Sequence, residues 1–248
     1  MDLRAETVGP AGRPAVALIH GMMSTNRQWV LNVDALAARF RVVMIELWGH
    51  GGSPAPDDPA AYGSAGLVDA LDRVRERAGV DSWSMVGHSY GGAVALHYAF
   101  RRPAAVRAVV WTNSRAAMST AGPTEARQVG EAIRVGQDPR TIPQHPVFAK
   151  RFPADLHAAL MADADGTDLV ALSRLFSAHW ELSSRDHLTE LTVPVTLING
   201  RYERLFQTDV AWIRDHAPNV RIFEVAAGHS PNIEIAEEFD RLVIDALD

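Results

Sequence analysis

The chain alternates short apolar, β-branched runs with longer stretches whose apolar positions recur every three or four residues. Runs at 15–20, 41–47, 82–87, 106–113, 193–199 and 220–225 read as strands with little polar interruption. Strands that are apolar on both faces belong to a parallel sheet covered by helices above and below. Between them, 28–40 carries Trp29, Val33, Leu36 and Phe40 at helical spacing, and 62–78 carries Leu67, Leu71 and Val74. Segments 91–101, 208–216 and a closing 233–246 read as further helices. The alternation predicts an α/β fold built on a doubly wound, mostly parallel sheet.

Between 114 and 190 this rhythm stops. Pro123, Pro139, Pro143, Pro146 and Pro153 interrupt the stretch, with amphipathic pieces at 154–162 and 169–180. The expected division is a core domain of 1–114 and 191–248 with a helical insertion at 115–190. Loops at the C-terminal ends of parallel strands face the ligand crevice, so the insertion is expected to lie over that crevice as a cap. Extra surface helices remote from any site are the alternative.

Composition narrows the function classes. With 248 residues, 47% of them apolar, the chain sustains one large core plus an insertion. A net charge of −6 without a run of like charges excludes a nucleic-acid partner, which needs a basic stripe. The absence of cysteine excludes disulfides and thiolate metal sites. No His-Glu-x-x-His or comparable spacing occurs among the ten histidines, so neither metal nor cofactor is expected. Met1-Asp2-Leu3-Arg4-Ala5-Glu6 lacks the layout of a signal peptide, and no apolar run approaches the roughly 20 residues of a membrane span. The expectation is a soluble cytoplasmic protein, monomer or homodimer, acting on a small molecule.

Chemistry concentrates at Val86-Gly87-His88-Ser89-Tyr90-Gly91-Gly92, a G-x-S-x-G pattern between a strand and a helix. A strand that turns at once into a helix strains the residue at the apex and pushes its side chain outward, and flanking glycines allow the close approach. Ser89 there is placed as a nucleophile. A serine hydroxyl needs a base to take its proton, and His229, in the loop Ala227-Gly228-His229-Ser230, is the best placed of the histidines. The base in turn needs a carboxylate to hold its tautomer. Glu203, in Asn199-Gly200-Arg201-Tyr202-Glu203, supplies one, with Asp209 as the rival. Ser89, Glu203 and His229 thus follow the order nucleophile, acid, histidine.

In that order and in these motifs the chain resembles the α/β-hydrolases, from about residue 14 to the C-terminus, with 115–190 unmatched. The resemblance implies an α/β-hydrolase sheet, with the cap inserted after the strand at 106–113. It also implies an oxyanion hole made by two backbone N–H groups, one from Tyr90 and one from the residue after His20-Gly21. That residue is Met22, with Met23 as the second choice. Glu203 departs from the family, which usually has aspartate there; its extra methylene requires the side chain to fold back or the backbone to stand off. Glu46 stands where the family often has aspartate and is expected to bond the turn Gly49-His50-Gly51-Gly52-Ser53, a structural turn without the ending of a phosphate loop. Met23, Trp48, Trp111, His179 and Trp180 are candidates for an apolar substrate pocket, and each tryptophan equally fits ordinary core.

The activity expected is that of a carboxylesterase-like serine hydrolase, cleaving a carboxylic ester or thioester through an acyl-enzyme. An alternative keeps the triad but cleaves a C–C bond, eliminates or cyclises, since Leu18-Ile19-His20-Gly21-Met22-Met23 and Trp48-Gly49-His50-Gly51 are also similar to the lyase of menaquinone synthesis. Such a lyase needs arginines near the serine, for which Arg115, Arg127 and Arg201 are available. A third reading is a non-catalytic, receptor-like member of the fold.

Overall fold

The computed structural model describes residues 1–248. Its strands are β1 (Ala5–Val8), β2 (Ala15–Ile19), β3 (Arg41–Ile45), β4 (Trp83–His88), β5 (Val106–Thr112), β6 (Val195–Gly200) and β7 (Val220–Val225). They form one sheet in the order β1-β3-β2-β4-β5-β6-β7, parallel throughout except for β1 against β3. Every residue of β2 and β4 is buried, as strands covered on both faces require. One core cluster packs Trp83, Met85 and Trp111 under the helices of one face, and a second gathers Val16, Leu18, Val86 and Phe239 on the other.

The helices are α1 (Val33–Ala37), α2 (Ser64–Arg77), α3 (Tyr90–Arg101), α4 (Pro123–Glu131), α5 (Ala154–Asp165), α6 (Leu169–Ala178), α7 (Gln207–His216), α8 (Pro231–Glu234) and α9 (Ala236–Leu247). None is long and apolar enough to cross a membrane. From β2 the chain steps outward to β3 and then back past β2 to β4, so the loops leaving β2 and β4 diverge at their C-terminal ends. That divergence opens a crevice at the switch point of the sheet.

Three elements differ from the pattern-based expectation. The edge strand β1 escapes it because only Ala5 is even partly buried, so no apolar alternation marks it. The single helix expected at 28–40 is a 3-10 turn, Asn26–Trp29, followed by the short α1. The break falls at Asn32, which is fully buried; its Nδ2 donates to Asn232 O at 3.0 Å and to Asp240 Oδ1 at 2.8 Å. The closing helix is likewise split into α8 and α9. The Glu234 carboxylate turns back to accept Gly228 N–H at 2.8 Å and Ser230 N–H at 3.3 Å.

Segment 115–190 contributes α4, α5 and α6 joined by 3-10 turns. Its attachments are polar and specific. Asp168 N–H donates to Gly49 O at 2.9 Å, and Thr25 Oγ1 donates to Asp163 at 2.7 Å. Gly130 lets α4 close on α6, where a Cβ would fall 2.0 Å from Ser177 Oγ.

Asp240 faces the Asn32 amide from within α9, and burial pushes its carboxyl up from 3.8 to about 6, against the opposing effect of the Asn32 hydrogen bond. A carboxyl raised in the folded state favours folding when protonated, and that contribution is lost as pH climbs through about 6. Asp240→Asn keeps the acceptor for Asn32 and removes the charge. Thermal melts are expected to show the variant about 3–6 °C more stable than wild type at pH 8, the gap closing by pH 4.

Candidate active site

The turn from β4 into α3 places Ser89 at φ 52°, ψ −119°, a left-handed backbone rare for any residue but glycine. Its neighbours permit the turn because they lack side chains. A Cβ at Gly87 would sit 2.3 Å from Gly91 O, and one at Gly91 would sit 2.2 Å from Ile19 O. Ser89 N–H is anchored to Thr112 O at 3.1 Å, and the side chain is left partly exposed at the crevice. Tyr90 N–H opens α3, where the helix has no acceptor of its own to offer.

Beside it runs the loop after β2. Gly21 passes so near that a Cβ there would be 3.2 Å from Ser89 Cβ. Gly21 N–H is held by Gln28 Oε1 at 3.1 Å, and Met23 N–H is accepted by His50 Nε2 at 3.0 Å. No protein acceptor engages the N–H of Met22, which lines the cavity beside Ser89. His20 and His50 act as scaffold. Leu47 N–H donates to His20 Nε2 at 3.1 Å, which puts the ring proton on Nδ1, 2.7 Å from Gly21 O. Met23 N–H fixes His50 the same way, its Nδ1 proton going to Trp48 O at 2.9 Å. Burial lowers the two rings to about 3 and about 4, so both stay neutral. Glu46 holds the neighbouring turn by accepting Gly52 N–H at 2.7 Å.

The third wall comes from the ends of β6 and β7. His229 Nδ1 lies 3.4 Å from Glu203 Oε2, longer than a well-formed hydrogen bond but within ion-pair contact. A 3-10 turn, Arg204–Phe206, starts directly after Glu203. The His229 ring beside it holds the Glu203 carboxyl below the ordinary carboxylate range, against the opposing effect of burial. Asp209, the rival acid, pairs instead with Arg185 at 3.6 Å. Behind the pair, His88 Nε2–H donates to His229 O at 2.9 Å. Burial drives the His88 ring well below its ordinary value, so this ring too is neutral.

Ser89, His229, Glu203, Met22 and Tyr90 all line one cavity of about 1060 Å³, whose other side is lined by residues of 115–190. Ser89 and His229 line the same cavity but are not hydrogen-bonded to each other. Met23 and His179 are also cavity walls, but Trp48, Trp111 and Trp180 are not. Trp48 is buried with its indole N–H donated to Ala61 O at 3.1 Å, and Trp111 packs edge-on against Phe206 in the core. Trp180 is 37% exposed away from the cavity. In their stead come polar walls that the sequence did not single out for this role: Gln144, Lys150, Arg151 and Arg185. Of the arginines considered, Arg115 lines the cavity; Arg127 and Arg201 do not. No group of three His, Asp or Glu side chains is arranged to hold a metal.

Residues 14–163 match the alpha/beta hydrolase fold family. At 26% identity over 93% of this chain and 90% of its own, the chain is similar to a putative carbamate hydrolase, RutD, of Serratia proteamaculans. It is 33% identical to a 1-acylglycerol-3-phosphate O-acyltransferase of Arabidopsis thaliana, but only over 42% of this chain, which spans about a quarter (25%) of that protein. A solved hydrolase from Pseudomonas aeruginosa PA01 superposes with a TM-score of 0.86 at 23% identity, covering 99% of this chain and 94% of that one, a likeness of fold.

The close approach of α3 to β2 yields a stability test. Gly91→Ala drives a Cβ into the rigid backbone of Ile19, and denaturant titration is expected to show a loss of at least about 3 kcal/mol. Gly166→Ala, where φ is −88° and a Cβ meets nothing closer than 3.5 Å, is expected to change stability by less than about 0.5 kcal/mol.

Proposed function

The chain belongs to the α/β-hydrolase fold family and is an enzyme of that family, and from this premise we propose that it is a cofactor-free serine hydrolase acting on a carboxylic ester or thioester. The observation that carries the proposal is the His229–Glu203 pair, 3.4 Å apart, in the cavity that the strained Ser89 lines. Segment 115–190 is read as the cap that closes this cavity over the substrate.

Ser89 Oγ attacks the carbonyl carbon while His229 takes its proton through Nε2. The developing oxyanion is held by the N–H groups of Tyr90 and Met22, each worth on the order of 3 kcal/mol of barrier. The free N–H of Met22, and the engagement of Met23 N–H by His50, support Met22 for that role. The Glu203 carboxylate stabilises the imidazolium, which then protonates the departing alcohol or thiol. Water, deprotonated by His229, attacks the acyl-enzyme and releases the acid and free Ser89. The same sequence of steps serves a carbamate carbonyl, the group named for the similar Serratia protein.

Substrate choice lies in the cap side of the cavity. Arg115, Gln144 and Lys150 stand on its walls beside Met118, Phe148, Phe152 and Phe176, a mixed lining that favours an acyl group carrying polar substituents over a bare long alkyl chain. The same polar walls favour, as the second reading, C–C cleavage or elimination on a polar intermediate with the same Ser89–His229 pair.

A fluorophosphonate probe is expected to label wild type at one residue per chain and to leave Ser89→Ala unlabelled. With chromogenic esters, Ser89→Ala and His229→Ala are expected to lower kcat by roughly 10⁴-fold or more, and Glu203→Gln by about 10²- to 10⁴-fold. A rate for Glu203→Gln within about threefold of wild type would assign the acid elsewhere. Across p-nitrophenyl esters, acetate and butyrate are expected to exceed decanoate at least about tenfold in kcat/KM. The reverse order would reject the polar acyl group.

A further inference from the structure

Asn113 follows the last residue of β5 and is fully buried at the point where three loops meet. Its φ of 32° lies in the left-handed region. Its amide is fully used: Oδ1 accepts Gly200 N–H at 3.1 Å, and Nδ2 donates to Gly228 O at 2.7 Å and to His229 O at 3.2 Å. These partners fix the amide's orientation, since an N–H only donates and a carbonyl only accepts. The backbone there is crowded; a Cβ at Gly200 would lie 1.9 Å from Gly228 O and 2.9 Å from Asn113 Nδ2.

The sheet itself does not make this connection. Pairing of β5 with β6 ends at Trp111↔Leu197, whereas β6 and β7 stay paired as far as Gly200↔Val225. Beyond Trp111 the end of β5 reaches its neighbours through the Asn113 amide. One side of that amide holds the loop that carries Glu203 three residues after Gly200, and the other holds the two residues that carry the His229 ring. We propose that Asn113 is a positioning residue that sets the His229 ring against Glu203 by clamping both of their loops at once. It touches no reacting atom, and its role in turnover rests on the reading of His229 and Glu203 as the partners of Ser89. Neither a purely apolar nor a charged side chain replaces it: the first leaves Gly200 N–H and Gly228 O unpaired and His229 O to His88 alone, and a carboxylate faces both carbonyls with no proton to donate.

Two variants separate the amide from the backbone. Asn113→Gly tolerates the positive φ and removes the amide. Asn113→Asp keeps the shape and the acceptor for Gly200, and regains one donor only when protonated; burial against two carbonyls raises that pKa. The readouts are ester turnover and, independent of turnover, the ring N–H proton of His229 by NMR of ¹⁵N-histidine-labelled protein. Wild type is expected to show a downfield His229 Nδ1–H signal from the contact with Glu203. Asn113→Gly is expected to lose that signal and about 10- to 100-fold in kcat, with KM within about threefold. Asn113→Asp is expected to show its deficit relative to wild type shrink at least about fivefold as pH falls from 8 to 6, as the carboxyl takes up its proton. A folded Asn113→Gly with wild-type kcat and an unchanged ring signal would overturn the proposal, leaving only a backbone requirement at this position. If Asn113→Gly does not fold, an Asn113→Asp deficit that stays constant with pH overturns it. Wild type without ester turnover or probe labelling, but with the ring signal still dependent on Asn113, would reject the proposed function and uphold the clamp.

Discussion

The site depends on backbone approaching backbone more closely than any side chain allows. Gly87, Gly91 and Gly21 bring β4, α3 and the loop after β2 into contact, and Ser89 stands at the apex of the turn between β4 and α3 with a positive φ. A methyl group at Gly91 would occupy the space of Ile19 O. The Ser89 hydroxyl, the opening N–H of α3 and the unengaged N–H of Met22 therefore line one cavity as a consequence of chain path. Side-chain identity at Met22 and Tyr90 contributes little to that arrangement, because the groups offered are backbone donors.

Around this apex the protein uses neutral imidazoles as struts. His20, His50 and His88 are buried, and burial keeps each ring uncharged. A neutral imidazole has one donor and one acceptor on opposite sides, so it bridges an N–H on one strand end to a carbonyl on another. His50 holds Met23 in that way, at a residue whose φ is 55°. His88 links the turn bearing Ser89 to the carbonyl of His229. His229 differs from these rings in being half exposed and in facing the Glu203 carboxylate.

Much of this was legible in the residues alone. Apolar runs located six of the seven strands, since a strand buried on both faces leaves a continuous signal. That Ser89, Glu203 and His229 share one cavity was legible because each follows a strand and is flanked by glycine or lies just beyond one. The edge strand β1 was not, since solvent covers most of it and nothing selects its pattern. The helix breaks at Asn32 and Ile235 were missed for another reason. Helical periodicity reports which face is buried but not that Asn32 bonds Asn232 and Asp240, about 200 residues away along the chain (separations of 200 and 208). Asn113 carries no motif of its own; an amide holding Gly200, Gly228 and His229 has no local signature when its partners lie 87, 115 and 116 positions away.

Local sequence thus determined the sheet, the order of chemical groups along the chain and the turn that exposes Ser89. Those features arise from side-chain period and from steric rules acting over a few residues. Tertiary structure decided which side chains share the cavity. It sent Trp48 and Trp111 into the core and brought Arg115, Gln144 and Lys150 to the walls. It also decided which loop N–H stays free, because His50, remote in sequence, takes the one at Met23 and leaves the one at Met22. Such choices follow from packing between segments far apart in the chain, where each contact depends on the position of every other element.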